Sequence, residues 1–502
     1  MIERWSRDQV LALAPDAASR SAAQKVAAPG KWSVCGTTGT VVYGECEGSG
    51  AKPYLACVDL TEPAYRCSCP SRKFPCKHAL GLLLLWAADG VPAEEGAPQW
   101  VTEWVEARAE RAAKEAAKIE AARAKKTAEV SSGEDDGGAP GAGRSGGSSR
   151  AGAESVRHGR VAAGLSELER WLDDQVRQGL ARAAEHEWEG LAKRLIDAQA
   201  PGVAGVVSRL VRVRAGDDWP GRLLEEYALI HLLAVAYRRR AELPGPLAET
   251  VLSRVGFPVA KEEVLAGPVV RDRWDVLGRR DEEQDRLTSR KVWLRGRRSG
   301  RAALVLSFAP QGQPLDASLV TGTTIEADLT YYPGAAPLRA LVATRHGTHA
   351  DGIARDGSDG DAAARQGSGA DGAVRYGSDA DGVAPDGSGG DAAGRRGSGV
   401  GDVAGAVLPG GTPPGVSPEE ALDEVARALG EDPWTESWPL VLAGVIPGRD
   451  SIGGLPLHRA ARDPWRLIAV SGGRPVTVAA EWTPRGLRPL TTWDDEGTAV
   501  IL

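Results

Sequence analysis

Over the first ninety positions the apolar residues come in short bursts; further along they settle into long stripes. Ser6 followed by Gln9 has the spacing of a capping box before a short helix. Pro15 interrupts that helix, and a second is predicted from Asp16 to Ala28, closed by Pro29-Gly30. Val34–Cys35, Thr40–Tyr43 and Tyr54–Leu60 are β-prone runs separated by Gly36, Gly39 and Gly48-Ser49-Gly50, the pattern of a meander. His78–Ala88 is apolar all round, as a buried helix requires. Positions 100–129 carry interspersed opposite charges, among them Glu110 and Lys114 four apart, which predicts an exposed helix. Helical periodicity then dominates 161–290. Leu165, Leu168, Trp171 and Leu172 share one stripe, and Leu223, Leu224, Tyr227, Ile230 and His231 share another, which predicts a helical bundle. Lys291–Leu294, Ala303–Phe308 and Thr323–Tyr332 read as strands. Near the end, Ser417-Pro418-Glu419-Glu420 opens a helix that stops at Gly430, and short strands bearing Trp465, Trp482 and Trp493 follow.

Two stretches break these rhythms. Residues 131–160 turn to Gly, Ser, Ala and acids, the composition of a flexible linker. Residues 346–416 hold a ten-residue repeat, with Gly-Ser beginning at 357, 367, 377, 387 and 397 and Asp at 351, 361, 371, 381 and 391. Large apolar side chains are nearly missing there, so burial cannot offset the entropy of ordering, and disorder is expected. A calcium-binding β-roll would need a nine-residue period with an aliphatic residue in each repeat. The resulting expectation is a multidomain α+β chain with a small module of β-hairpin and helix, a helical bundle, a mixed α/β C-terminal region and long disordered segments. Its units are 1–95, the charged helix 96–130, the linker 131–160, the bundle followed by strands 161–345, the repeat 346–416, and a helix plus strands 417–502 packed on 161–345. The linker further implies that unfolding of the 30–90 module would leave 161–345 largely folded.

Composition changes this picture only modestly. Gly 63 and Pro 32 agree with extensive loops, while 42% hydrophobic residues suffice for several cores. Lys+Arg 61 against Asp+Glu 68 leaves −7, which weakens any whole-protein case for nonspecific nucleic-acid binding. The opening MIERWSRDQV lacks a basic segment followed by an apolar one, and the apolar run around Leu82–Ala88 is too short to span a bilayer. A cytoplasmic protein with no membrane association is expected. Its thiols would be reduced, so clustered cysteines suggest metal before disulfide.

Such a cluster exists. Three of the six cysteines and one of the seven histidines fall within the twelve residues 67–78. In Cys67-Ser68-Cys69 the two thiols lie on one side of an extended segment. Cys76-Lys77-His78 repeats the spacing where a loop enters a helix. Both pairs can converge on one tetrahedral ion, and zinc accepts a Cys₃His set readily. Three thiolates, a neutral imidazole and Zn²⁺ leave a net −1, which Arg66, Arg72, Lys73 and Lys77 would offset while lowering the thiol pKa values. Four protein ligands fill the ion's coordination, so its role is structural. Cys35, Cys46 and Cys57 are expected to be small core residues rather than ligands.

Cys-x-Cys, six residues, then Cys-x-His resembles the SWIM-type zinc finger. The similarity extends to the context, from Gly48-Ser49-Gly50 and Pro53-Tyr54 through Cys69-Pro70-Ser71-Arg72-Lys73-Phe74-Pro75-Cys76-Lys77-His78-Ala79-Leu80-Gly81, and is nearest to bacterial members of actinobacterial type. The resemblance implies a strand-hairpin-helix module over about residues 30–90, with Cys67, Cys69, Cys76 and His78 as ligands of one structural zinc. It implies binding of protein or DNA, and association of bacterial members with a MoxR-type AAA ATPase and a VWA-domain protein. A zinc-stabilised interaction or scaffold subunit is the leading expectation. The alternative is nucleic-acid binding through Arg66, Arg72, Lys73 and Lys77, with Phe74 able to stack.

No catalytic residue is identified, and enzymatic activity is not expected. There is no Gly-x-x-x-x-Gly-Lys-Ser/Thr loop. His186-Glu187 lacks the second His of a metalloprotease helix, because position 190 is Gly. Asp450-Ser451-Ile452-Gly453-Gly454 resembles a nucleophile loop in outline, but its surroundings favour a plain turn.

Overall fold

Seven elements build the amino-terminal module: α1 (Arg7–Ala12), α2 (Ala17–Val26), β1 (Trp32–Thr37), β2 (Val41–Cys46), β3 (Tyr54–Asp59), β4 (Ala64–Cys67) and α3 (Lys77–Ala87). The structure is a computed structural model. It describes residues 4–48, 52–61, 63–71, 73–131, 145–182, 184–216, 218–284, 287–310, 313, 315–346, 408–409, 411–461 and 464–502. Ser6 and Gln9 form the capping box that starts α1, and Asp16 caps α2 by accepting from the Ser19 amide at 2.7 Å. The four strands make an antiparallel meander in chain order. α3 is buried on every side, against α1, α2 and one face of the meander. Gly81 permits the contact with α2, since a Cβ there would lie 2.5 Å from Val26 and 3.2 Å from the Ala23 carbonyl. The other face of the meander, with Val41, Tyr43 and Cys57, is covered by Val101, Trp104 and Val105 of α4 (Gln99–Ser131).

The bundle comprises α5 (Ser145–Gln178), α6 (Glu185–Asp197), α7 (Pro201–Arg214), α8 (Trp219–Arg238) and α9 (Gly245–Val255). Leu165, Leu168 and Leu172 meet Trp188, Leu191, Val207, Leu223, Tyr227 and Ile230 in one core. The expected linker 131–160 is corrected in part. Residues 132–144 lie outside the described residues, but Ser145 already begins α5. Arg157 and His158 supply anchors that composition hides: Arg157 donates to the Gly256 carbonyl at 3.1 Å, and His158 lies 2.7 Å from the Tyr237 hydroxyl while stacking on Phe257. Of the stretch 346–416 expected to be disordered, 347–407 lie outside the described residues, but its ends are ordered: His346 faces Asp328 at 2.9 Å, Leu408 and Pro409 form a short strand, and Val416 bridges Leu442.

After the short α10 (Lys261–Leu265) come β5 (Val269–Gln284), β6 (Leu287–Gly296), β7 (Ala302–Pro310), β8 (Thr323–Tyr331), β9 (Arg339–Arg345) and β10 (Leu408–Pro409). β9 pairs in parallel with β7 and antiparallel with β8, so β8-β5-β6-β7-β9 closes into a five-stranded barrel, with β10 on the start of β8. Helical periodicity was expected to run to residue 290, yet β5 is the longest strand. Two buried carboxylates hide its alternation. Asp272 accepts from the Ser299 amide at 2.7 Å, and Asp275 pairs with Arg297 at 2.8 Å and accepts from the Thr324 hydroxyl at 2.6 Å.

The chain ends with α11 (Pro418–Glu431), β11 (Trp438–Val445), the hairpin β12 (Ser451–Ile452) and β13 (Leu455–Pro456), α12 (Pro464–Ser471), β14 (Val476–Trp482), β15 (Arg488–Trp493) and β16 (Ala499–Ile501). Trp465, expected on a strand, lies on α12. Gly453 and Gly454 form the two-residue turn of the β12–β13 hairpin, with φ of 56° and 82°, values that suit a primed turn and exclude a nucleophile loop there. The sheet β11-β14-β15-β16 packs on the barrel through Leu277, Trp293, Val441, Ala479, Leu490 and Trp493. Arg295 grips Glu424 of α11 with both nitrogens, at 2.6 and 2.8 Å.

The amino-terminal module is not independent either. Ala317 and Val320, from the β7–β8 connection, enter the same core as Trp5, Leu13, Leu82 and Trp86. Gln9 donates to the Thr321 carbonyl at 3.3 Å, and Arg279 of β5 donates to the Ala12 carbonyl. Arg279 is deeply enclosed beside Tyr65, and burial, then the neighbouring Arg290, pushes its pKa down to about 10.

Candidate metal centre

The site lies where β4 ends and α3 begins. Cys67 is the last residue of β4, Cys69 stands in the turn after it, Cys76 is the N-cap of α3, and His78 sits in the first turn of that helix. The middle residue of the first pair fixes the orientation of both thiols. Ser68 donates its amide to the Leu55 carbonyl at 2.9 Å and accepts from the Leu55 amide through its hydroxyl, also at 2.9 Å. With Ser68 pinned to β3, its two neighbours turn to the opposite side, toward α3. The second pair is oriented by the helix start. The Cys76 sulfur accepts from the Ala79 amide at 3.5 Å, as an N-cap side chain does.

The four donor atoms all lie within 4.8 Å of one another, and the Cys67 sulfur is 3.7 Å from His78 Nδ1. A tetrahedral zinc shell with bonds of about 2.0–2.3 Å has ligand–ligand edges of about 3.6 Å. The donor set is three thiols and one imidazole, soft and borderline ligands that suit zinc rather than calcium or magnesium. Cys76 and His78 are buried, and Cys67 and Cys69 are half-buried. Cys67, Cys69, Cys76 and His78 are therefore positioned to bind one zinc ion.

The thiols shift one another's pKa values. The hydrogen bond with Cys67 holds Cys76 down at about 4, aided by His78 and the Ala79 amide, while that same bond and burial push Cys67 up. Burial raises Cys69. One thiolate is thus favoured at the helix N-terminus, where the backbone amides also stabilise negative charge. A zinc ion would replace the protons on the other two.

Support for His78 comes from a residue the sequence reading quoted but gave no role. The Tyr54 ring stacks on the imidazole, with centroids 4.8 Å apart and planes at 30°. Tyr54 in turn lies where a Cβ on Gly48 would be, 2.5 Å away, so Gly48 is required for that placement. Among the other cysteines, Cys46 and Cys57 are fully buried and Cys35 partly so, and none joins the cluster. Burial pushes the Cys57 thiol up to about 12.

The basic and aromatic residues around the finger are distributed differently from a single open patch. Lys73 pairs with Asp16 at 2.6 Å, and this hydrogen bond, followed by that from the Ser19 amide, holds the Asp16 carboxyl down at about 2. Phe74 packs edge-on against Tyr65, centroids 5.8 Å apart. Arg66 and Lys77 are exposed, Arg66 reaching the Trp100 carbonyl at 3.5 Å. Arg72 lies outside the described residues. The sequence reading expected these cations to lower the ligand thiols. Instead the leading influences on the ligand thiols are the thiols themselves and burial, whereas Arg66 acts on Cys57 and Lys77 on Cys46.

Comparison with models of known families agrees with this geometry. Residues 57–87 match the SWIM zinc finger, and residues 156–255 match the SWIM-associated four-helix bundle domain. The first match spans the end of β3 through α3 with all four ligands; the second runs from α5 to α9. No curated protein and no solved structure matches the chain. Among the described residues, no helix is long and apolar enough to cross a membrane.

Proposed function

We propose that this SWIM zinc-finger protein, whose finger is followed by its associated helical bundle, is a non-catalytic interaction subunit of the cytoplasm. The observation that carries this reading is the enclosure of the donor set. Four protein ligands fill a tetrahedral shell, two of them wholly in the core, which leaves no coordination position for water or substrate. The zinc then serves folding and holds the meander against α3. Partners would be engaged by outer surfaces such as the charged face of α4. The family resemblance points to a MoxR-type AAA ATPase and a VWA-domain protein as those partners.

A second reading, nucleic-acid binding at the finger, is supported by the exposed Arg66 and Lys77, although Lys73 and Phe74 are engaged within the chain. One experiment separates the two. Tagged wild-type chain and Cys69→Ser are recovered from native cells, and the copurifying proteins and nucleic acid are quantified. Stoichiometric AAA ATPase or VWA-domain protein with wild type, reduced at least tenfold with Cys69→Ser, supports the interaction subunit. Nucleic acid without either protein, released by Arg66→Ala plus Lys77→Ala, replaces it with the second reading.

A further inference from the structure

A second concentration of charge lies outside the zinc site, where the bundle, the barrel and the C-terminal sheet meet. His458 follows β13 and is only 7% exposed. Its backbone is locked: its amide donates to the Leu487 carbonyl at 2.8 Å, and the Leu487 amide donates to the Pro456 carbonyl at 2.8 Å. The β14–β15 turn presses so closely that a Cβ on Gly486, at φ 111°, would sit 2.6 Å from the Pro456 carbonyl oxygen.

The imidazole is held in one tautomer. Nδ1 accepts from the Ala460 amide at 3.0 Å, so in the neutral ring Nε2 carries the proton. Burial and the surrounding arginines hold the His458 pKa down at about 4, so the ring is neutral near pH 7. Yet Nε2 faces Arg488 Nη2 at 3.0 Å, and a guanidinium is only a donor. Two N–H groups point at each other with no acceptor between them.

The charge count has the same imbalance. Glu481, 1% exposed, is approached by Arg280 at 3.4 Å and by Arg488 at 3.5 Å. Arg488 Nε is buried with no partner among the described residues. Burial, then Arg222 on α8, lowers the pKa of Arg485 on the turn. Neither guanidinium makes an ion pair or hydrogen bond among the described residues. Glu226 and Glu225 on α8 also act on Arg485, and burial, then Glu436, raises the Glu226 pKa. Four guanidinium groups thus crowd a site with one fully buried carboxylate, and donors of Arg222, Arg485 and Arg488 remain unused.

We propose that His458, Arg485 and Arg488, flanked by Arg222 and Arg280, bind the phosphate group of a small ligand. A phosphate oxygen seated on the facing pair accepts from both His458 Nε2–H and Arg488 Nη2–H and removes the donor–donor conflict. The remaining oxygens meet Arg485 and Arg222. These donors come from a strand, a turn and a helix, so they approach from several directions. That spread matches a tetrahedral oxyanion, whereas a planar carboxylate is satisfied by a single guanidinium fork. His458 and Glu481 form the buried floor, and the exposed Arg485 forms the mouth.

The test is calorimetric titration of the zinc-loaded full chain with inorganic phosphate at constant ionic strength, with succinate and chloride as controls. Saturable phosphate binding is expected, at least tenfold tighter than succinate. Arg485→Gln, at an exposed turn, should leave the melting temperature of the ligand-free chain unchanged and weaken phosphate binding about tenfold, the effect of removing one charge-assisted pair of hydrogen bonds. Arg222→Gln provides an independent variant on another element, with the same expectation. Phosphate binding no tighter than succinate or chloride overturns the proposal. So does binding that both variants leave unchanged.

Discussion

The zinc centre and the arginine–histidine cluster are assembled in opposite ways. All four zinc ligands fall between residues 67 and 78 and are brought together by one strand end, one turn and one helix cap. The groups around His458 come from residue 222 to residue 488 and from three packed layers. A local site can be specified by spacing, because extended backbone and a helix start each impose a direction on their side chains. A distant site depends on every core that positions its layers. The first therefore survives as a motif, while the second exists only once the chain has folded.

The sharpest way to break this contrast is to remove the zinc. Cys69→Ser or His78→Ala should abolish stoichiometric zinc, read by metal analysis, and cost several kcal/mol, a part of the about 10–16 kcal/mol that structural zinc contributes in finger peptides. Because Ala317, Val320 and Thr321 pack on the finger module, the loss should spread. Hydrogen exchange should accelerate across 317–322 as well as in α3. Protection at 317–322 identical to that of the wild type would show that the module unfolds alone, as a linker-separated unit would.

A pH change tests the distant cluster instead. His458 has a folded pKa of about 4 against an ordinary 6.5, so between those values the unfolded chain binds a proton that the folded chain does not. Stability should hold above pH 7, fall as the pH drops from 6.5 to 4, and level off below that. In His458→Gln the thermal midpoint should lose roughly 4 °C less than wild type over that window. Parallel curves for the two proteins would mean that this imidazole is not held neutral by its surroundings.

The smallest effect belongs to a purely local device. Asp16→Ala should cost about 1 kcal/mol through the lost cap of α2, measured by urea denaturation, while Asp16→Asn should retain most of that stability. A larger loss in the Asn variant would mean that the pair with Lys73, and not the cap, holds the start of α2.

Much of the finger was readable along the chain. The capping box at Ser6, the meander glycines, the wholly apolar α3 and the four ligands all reflect interactions within a few residues. Tyr54 was visible as part of the motif context, but its stacking on His78 was not, because it depends on how β3 lies against α3. β5 was misread because Asp272 and Asp275 look like surface residues, and only their partners Ser299, Arg297 and Thr324 explain their burial. α5 began earlier than composition suggested because Arg157 and His158 find Gly256, Phe257 and Tyr237 about a hundred residues or fewer away.

By itself the sequence determined the metal, its ligands and the helical character of the middle of the chain. Those depend on donor chemistry, on backbone periodicity and on neighbours a few residues apart. The tertiary structure alone decided that the barrel closes through β9, that Ala317 and Val320 complete the core of the finger, and that four separated arginine side chains converge on one buried ring. Such pairings join segments hundreds of residues apart, and no local spacing encodes the packing that brings them together.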